Sequence, residues 1–223
     1  MALANELLKN NFTVVGIGKK NSISHPDFSF LELDLLNQND VAKFRFPENS
    51  YIEVLLINNT GILGDILPVG ELTADHFQRV MQVNTVSQQI LINEFIHAYL
   101  AVKNKVHVIN ISSGAGKRPI DAWSAYCASK AALDLFSETV NAEMKQRGVE
   151  KFHIHSIAPG VVDTKMQTQI RAASPEKFLA SDRFHKIKSN GELISPVYVA
   201  KKILQLINDP SAVGNCHISL SDI

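Results

Sequence analysis

Residues 106–133 read VHVINISSGAGKRPIDAWSAYCASKAAL: an aliphatic run that stops at Asn110-Ile111-Ser112-Ser113-Gly114, then a stretch of small residues around Tyr126 and Lys130. The run predicts a strand buried on both faces, and the stretch from about 123 to 147 predicts a helix. The same pairing recurs in both directions along the chain. Val14-Val15-Gly16-Ile17, Val54-Leu55-Leu56-Ile57 and Phe152-His153-Ile154-His155-Ser156-Ile157 read as further strands, with a last short one from Cys216 to Leu220. Helical patterns cover residues 1 to 10, about 74 to 101 and about 196 to 208. Thr73 is placed to cap the helix near 74, with Asp75 in its first turn beside the positive dipole end. Ser195 is placed to cap the last helix, with Pro196 at the first helical position. Strand and helix alternating in this way predict an α/β fold, a doubly wound parallel sheet of Rossmann type, as one domain over residues 1–223. Residues 165 to 195 are polar and weakly periodic, and read as a mobile insert over a site or as a surface excursion.

Composition narrows the class. Of 223 residues, 45% are apolar and 20% charged, which suits a globular domain. Lys+Arg and Asp+Glu both number 22, so the surplus of positive charge that nucleic acid or an anionic membrane requires is missing. No apolar run reaches the roughly 20 residues of a membrane span, and MALANELLKN lacks the layout of a secretory signal. Cys127 and Cys216 make no disulfide framework, which points to a reducing, cytoplasmic setting. His153 and His155 lack nearby cysteine or carboxylate partners at metal-ligand spacing, so zinc is not expected. No Gly-x-Ser-x-Gly elbow surrounds any serine, which argues against a hydrolase triad.

The chemistry gathers around Tyr126 and Lys130. Four residues apart on a helix, they lie on one face, and an ammonium beside a phenol is expected to lower its pKa from about 10 toward working pH. The spacing alone is weak, because Tyr99 with Lys103 and Tyr198 with Lys202 share it. Context separates Tyr126: it sits among small side chains that let a flat ligand approach. Thirteen residues upstream lies Ser113, at the carboxyl end of a predicted strand, where an open α/β sheet places its ligand.

Asn58-Asn59-Thr60-Gly61 after a strand, Asn84 in Val83-Asn84-Thr85, Ser113, Tyr126, Lys130, Pro159-Gly160 and Val162-Asp163-Thr164 resemble the ordered signature of the short-chain dehydrogenase/reductases, from about residue 12 to the end. Ala158 to Gln167 and Lys188 to Leu193 are similar to the sepiapterin and benzil reductase branch. The resemblance implies reduction of a carbonyl in a small-molecule ketone or diketone by NADP(H), with Tyr126 as proton donor and Ser113 polarising the carbonyl. It implies that Lys130 tunes the phenol and meets the cofactor ribose, and that Asn84 fixes a water behind Lys130. Asn58, Thr60 and Gly61 would line the adenosine side, Asp34 and Leu35 the adenine edge. Pro159, Gly160, Val162, Thr164 and Met166 would close over the nicotinamide, with Trp123 and Gly160 facing the substrate. Lys19 and Lys20 follow the strand ending at Gly18 where a carboxylate would favour NAD, so NADP(H) is expected. Family members pair as homodimers or homotetramers through the helices containing residues 74 to 101 and 123 to 147.

Two departures stand out. The family opens with a central strand and a glycine-rich turn, whereas Met1 to Asn10 resembles the helix that follows them. Gly16-Ile17-Gly18 has no third glycine and no helix after it. The expectation is therefore an N-terminally incomplete domain with an unfilled slot in its sheet. Three readings stay open: a start upstream, a truncation that binds nucleotide poorly and acts as an interaction partner, or neighbouring strands that close the gap. The second departure is in the tail, where Ser219 stands at the position of the pterin-anchoring acid, with Asp222 as a possible stand-in. That directs the expected substrate toward aromatic or aliphatic ketones and diketones.

Overall fold

The computed structural model describes residues 1–47, 51–100 and 105–223. The strands among them are β1 (Val14–Gly18), β2 (Phe28–Glu32), β3 (Glu53–Asn58), β4 (Lys105–Ile111), β5 (Phe152–Ala158) and β6 (His217–Ser219). The helices are α1 (Ala2–Lys9), α2 (Gln38–Lys43), α3 (Ala74–Met81), α4 (Ser87–Tyr99), α5 (Ser124–Gln146), α6 (Lys165–Arg171), α7 (Ser181–Ser189) and α8 (Pro196–Asn208). The predicted caps are in place: Thr73 Oγ1 accepts from the His76 amide at 3.2 Å, and Ser195 Oγ from the Val197 amide at 3.2 Å.

β3 to β6 form a parallel sheet in the order β3-β4-β5-β6, with Leu56 opposite Val108 and Val108 opposite Ile154. Alternate residues of β3 serve opposite faces. Val54 and Leu56 join a core with Phe95 of α4 and Met144 of α5, while Leu55 and Ile57 pack with Leu7 of α1 and Ile203 of α8. This is the doubly wound arrangement that aliphatic strands require.

β1 and β2 pair with each other in a separate parallel sheet, and among the described residues β1 shares no ladder with β3. A cleft of about 590 Å³ lies between them, so the neighbouring strands do not close the expected slot.

Other expectations are corrected. Phe28 to Glu32 and Gln38 to Lys43 form β2 and α2, which short polar-flanked runs did not advertise. The helix expected from 74 to 101 is interrupted by a π-helical turn, Gln82–Val86, and its end at residue 101 falls outside the described residues, as does Lys103. Residues 165 to 195 are no loose insert: α6 and α7 lie there, and Ile170 and Phe178 are fully buried. The last strand is shorter than Cys216 to Leu220, and Asp222 accepts from the Ser219 amide at 2.7 Å to cap the final turn.

The core of the sheet carries a pH signature. His107 Nε2 and His155 Nδ1 share one hydrogen bond at 2.9 Å across β4 and β5. Burial holds His107 down to about 3 and His155 to about 4, from 6.5. The unfolded chain therefore binds more protons than the native one below pH 6.5, and the stability these neutral rings permit is lost as pH falls toward those values. Urea midpoints are expected to drop steeply between about pH 6 and 4, and the His107→Leu/His155→Leu double variant should flatten that slope. An unchanged slope in the double variant would place the acid sensitivity elsewhere.

Candidate active site

β4 delivers its carboxyl end into the sequence Ser112-Ser113, and Ser113 caps a single 3-10 turn, Gly114–Gly116, its Oγ accepting from the Ala115 amide at 3.2 Å. α5 begins near this point, so Tyr126 and Lys130 stand one turn apart on the buried face. The Ser113 hydroxyl lies near enough to the Tyr126 phenol to favour its phenolate. Lys130 Nζ lies 5.9 Å from the Tyr126 ring centroid and donates to the Ile111 carbonyl at 2.7 Å. The three residues singled out in sequence thus meet at one strand end. The rival tyrosines do not: the Tyr99 hydroxyl donates to the Pro47 carbonyl at 2.7 Å, and Tyr198 is 51% exposed.

The electrostatics reverse one expectation. Burial pushes the Tyr126 phenol above its ordinary 10, and the neighbouring Ser113 hydroxyl only partly offsets it. Lys130 does not lower it, because the ammonium is aimed at a carbonyl and is itself almost fully buried. Desolvation draws Lys130 down to about 8, against the field of Asp134. At neutral pH the phenol keeps its proton and the amine carries most of its charge.

Asn84 lies in the π-helical turn, fully buried. Its Oδ1 accepts from the Ile62 amide at 2.8 Å, and its Nδ2 donates to the Ile62 carbonyl at 2.8 Å and to Ser129 Oγ at 3.0 Å. A π-turn that re-aims one side chain is a recurrent device near working sites. Here it fastens the loop after β3. A Cβ on Gly61 in that loop would sit 3.4 Å from Lys130 Nζ and 3.5 Å from Asn84 Oδ1, so the backbone passes close to both.

Asn58 does not face the loop side. Its amide donates to Asn110 Oδ1 at 2.8 Å, and Asn110 donates to Ser137 Oγ at 2.8 Å, a chain running under α5. Thr60 is exposed, its carbonyl taken by Gln88 Nε2 at 2.7 Å. After β5, Pro159 precedes Gly160, whose φ of 78° is left-handed; a Cβ there would meet Ile194 Cδ1 at 2.6 Å. Val162 bridges to Ile194, Met166 packs toward Tyr126, and the exposed Thr164 hydroxyl makes no cap bond at the start of α6. Lys19 pairs with Asp34 at 3.0 Å, and Asp34 also accepts from the Leu36 amide, so its carboxyl lies below the usual range and is engaged. The Leu35 carbonyl accepts from Ser87 Oγ at 2.6 Å. Lys20 is exposed, with no ion pair among the described residues.

Sequence reading missed the wall behind Tyr126. Trp123 stacks on Phe178 at 5.5 Å and 18°, leans on Phe184 at 5.5 Å, and meets the Tyr126 ring edge-on at 5.7 Å. Phe178 and Phe184 lie in the stretch read as polar, and only their aromatic character at a spacing of six could have flagged them. The polar rim fits the nicotinamide half of a dinucleotide. The buried Lys130 ammonium has one acceptor, and Ser112 Oγ and Gln167 Oε1 are buried without partners.

A tyrosine and serine at the carboxyl edge of a doubly wound sheet place the chain among the nucleotide-dependent oxidoreductases. A sequence profile of the short chain dehydrogenase family matches residues 1–175, and the chain belongs to the short-chain dehydrogenase/reductase family, which uses nicotinamide cofactors. It is similar to the benzil reductase ((S)-benzoin forming) of Bacillus subtilis (strain 168), 32% identical over 223 residues, covering 97% of this chain and 91% of that protein. Sepiapterin reductase of Rattus norvegicus is 31% identical over 175 residues, covering 76% of this chain and 64% of that protein. A 4-hydroxyisoleucine dehydrogenase complexed with NADH shares the fold at a TM-score of 0.77 and 24% identity, covering 98% of this chain and 90% of that one.

Proposed function

We propose that the protein reduces a ketone or diketone to an alcohol with NADPH, using Tyr126 as general acid. The observation that carries this is the convergence of Ser113, Tyr126 and Lys130 at the carboxyl end of β4. Ser113 Oγ turns its proton toward the substrate carbonyl oxygen, and Tyr126 Oη gives its own proton to that oxygen as negative charge builds there. The bound cofactor supplies the hydride. Lys130 would hold the ribose hydroxyls of the cofactor, and Asn84 keeps the neighbouring loop in place. Thr60, Gly61, Pro159, Gly160, Val162, Thr164 and Met166 frame the cofactor, with Asn58 acting from beneath through Asn110. Trp123 and its aromatic neighbours suit an aryl substrate, as does the likeness to benzil reductases. The exposed Lys20 supports NADPH, since the residues following β1 are the cations Lys19 and Lys20; the Asp34 carboxylate reaches Lys19 and partly neutralises it. Cytoplasmic assembly as a homodimer or homotetramer through α4 and α5 belongs to the same reading.

The cleft between β1 and β3 favours a second reading, a domain that binds nucleotide weakly and serves as an interaction partner. Titration of the purified protein with NADPH and NADH, followed by benzil turnover, separates the two. Turnover is expected with NADPH favoured by roughly tenfold, about 1.4 kcal/mol, and Lys20→Glu should narrow that margin. Preference for NADH would overturn the cofactor assignment, and binding without turnover the substrate class. Absence of binding by either nucleotide would leave the second reading.

A further inference from the structure

Tyr126, Lys130, Asp134 and Glu138 follow one another on α5 at intervals of four residues, so each lies about one turn beyond the last on the same face. Tyr126 and Lys130 belong to the site; Asp134 is buried behind them. Among the described residues the Lys130 ammonium makes no ion pair, and its hydrogen bond goes to the neutral Ile111 carbonyl at 2.7 Å. The Tyr126 phenol, the Gly61 backbone and Asn84 stand around it, none of them charged at neutral pH. A buried ammonium without an anionic neighbour is costly and sheds its proton readily. The next carboxylate along the helix is Asp134, whose field acts on Lys130 in the sense that keeps the proton on.

Asp134 is itself fixed. Its Oδ1 accepts from Ser156 Oγ of β5 at 2.5 Å, and His217 Nδ1 of β6 stands 3.7 Å from the same oxygen. His217 Nε2 lies 2.7 Å from Glu138 Oε1, which ties the imidazole to the exposed end of the row. A Cβ on Gly116 would sit 2.7 Å from Asp134 Oδ2 and 3.1 Å from the Lys130 carbonyl carbon. The backbone thus passes closely over the turn of α5 that joins the two charges. A groove of about 650 Å³ reaches Asp134, Glu138 and His217 from solvent, and the exposed Lys117 and Lys145 also line it. The Cys216 thiol there is pushed up to about 12, chiefly by burial, and stays neutral.

We propose that Asp134 is a positioning residue for Lys130: its buried carboxylate, pinned by Ser156 and His217, is the counter-charge that keeps an ammonium beside Tyr126. Two charges one helical turn apart and both out of water interact more strongly than an exposed pair. The Ser156 bond holds the carboxylate toward β5, away from the water of the groove, where its field would be screened. The functional consequence rests on the reading of Lys130 as a cofactor-binding residue, because an ammonium suits an anionic dinucleotide better than an amine does. The coupling between Asp134 and Lys130 does not depend on that reading.

The test follows the Lys130 side chain by NMR in the full chain labelled with carbon-13 at lysine Cε, its resonance assigned by its absence from Lys130→Met. Asp134→Asn keeps the shape of the side chain and an acceptor for Ser156. In that variant the titration midpoint of Lys130 is expected to fall by about one pH unit or more. About threefold fewer Lys130 side chains would then be charged near pH 7.5. NADPH should accordingly bind about threefold more weakly there, and almost equally near pH 6. Glu138→Gln, at an exposed position about two turns from Lys130, should move the midpoint far less. Ser156→Ala leaves the carboxylate but frees it toward the groove, so the midpoint should fall by a smaller amount. An unmoved midpoint in Asp134→Asn, or in Ser156→Ala where the former does not fold, would overturn the proposal. An equal fall in Glu138→Gln would overturn the assignment to Asp134. A lowered midpoint with unchanged NADPH affinity would uphold the coupling and remove Lys130 from cofactor binding.

Discussion

Tyr126→Phe is expected to lower kcat/KM for benzil reduction by about 10²–10⁴-fold while leaving NADPH affinity within about twofold and the unfolding midpoint nearly unchanged. The phenyl ring keeps the edge-on contact with Trp123 at 5.7 Å, so the packing of the wall survives the substitution. What is removed is one oxygen, the one that the nearby Ser113 hydroxyl influences. Because burial holds the phenol above its ordinary 10, its role is to donate a proton, and phenylalanine has none to give. Ser113 would still polarise the carbonyl, which is why residual turnover above background is expected. Retained turnover in the variant would remove Tyr126 from the reaction. An equal loss of cofactor affinity would instead make it a binding residue.

Phe178→Ala is expected to cost about 3–5 kcal/mol of stability by urea unfolding. Phe178 is fully buried, stacked on Trp123 and 5.8 Å from Phe184, and its loss opens a cavity in a cluster that also holds Leu63 and Ile170. Trp123 is the one tryptophan of the chain, so its emission reports directly on whether the stack has opened. As a reference, Leu135→Ala on α5, where the side chain is 65% exposed, should stay within about 0.5 kcal/mol of the parent. A Phe178→Ala cost near that reference would mean that residues 165–195 do not pack on Trp123 in solution. Because the same wall borders Tyr126, the variant also tests the aryl preference: KM for benzil should rise more than kcat falls.

The fold was legible where local pattern and tertiary role coincide. Val106 to Ile111 and Phe152 to Ile157 are buried on both faces because each lies between strands and under helices, and the aliphatic residues among them announce them. β2 was not legible, since Phe28 to Glu32 pairs only with β1 and stays half-exposed, with no buried pattern to read. The stretch from 165 to 195 misled for the opposite reason: its many charges face outward, and few residues, Ile170, Phe178 and Phe184 among them, carry its burial.

The sequence by itself determined the alternation of strands and helices and the position of Tyr126 one helical turn before Lys130. Each of these follows from covalent spacing and from periodicities of two and 3.6 residues, which are properties of neighbouring positions along the chain. The tertiary structure alone decided that Ser113 meets Tyr126, that Asn58 and Asn84 turn to Asn110 and Ile62, and that the phenol is held protonated. Those outcomes depend on how far water is displaced when remote segments converge, and desolvation is a property of the assembled surroundings that no stretch of sequence carries within itself.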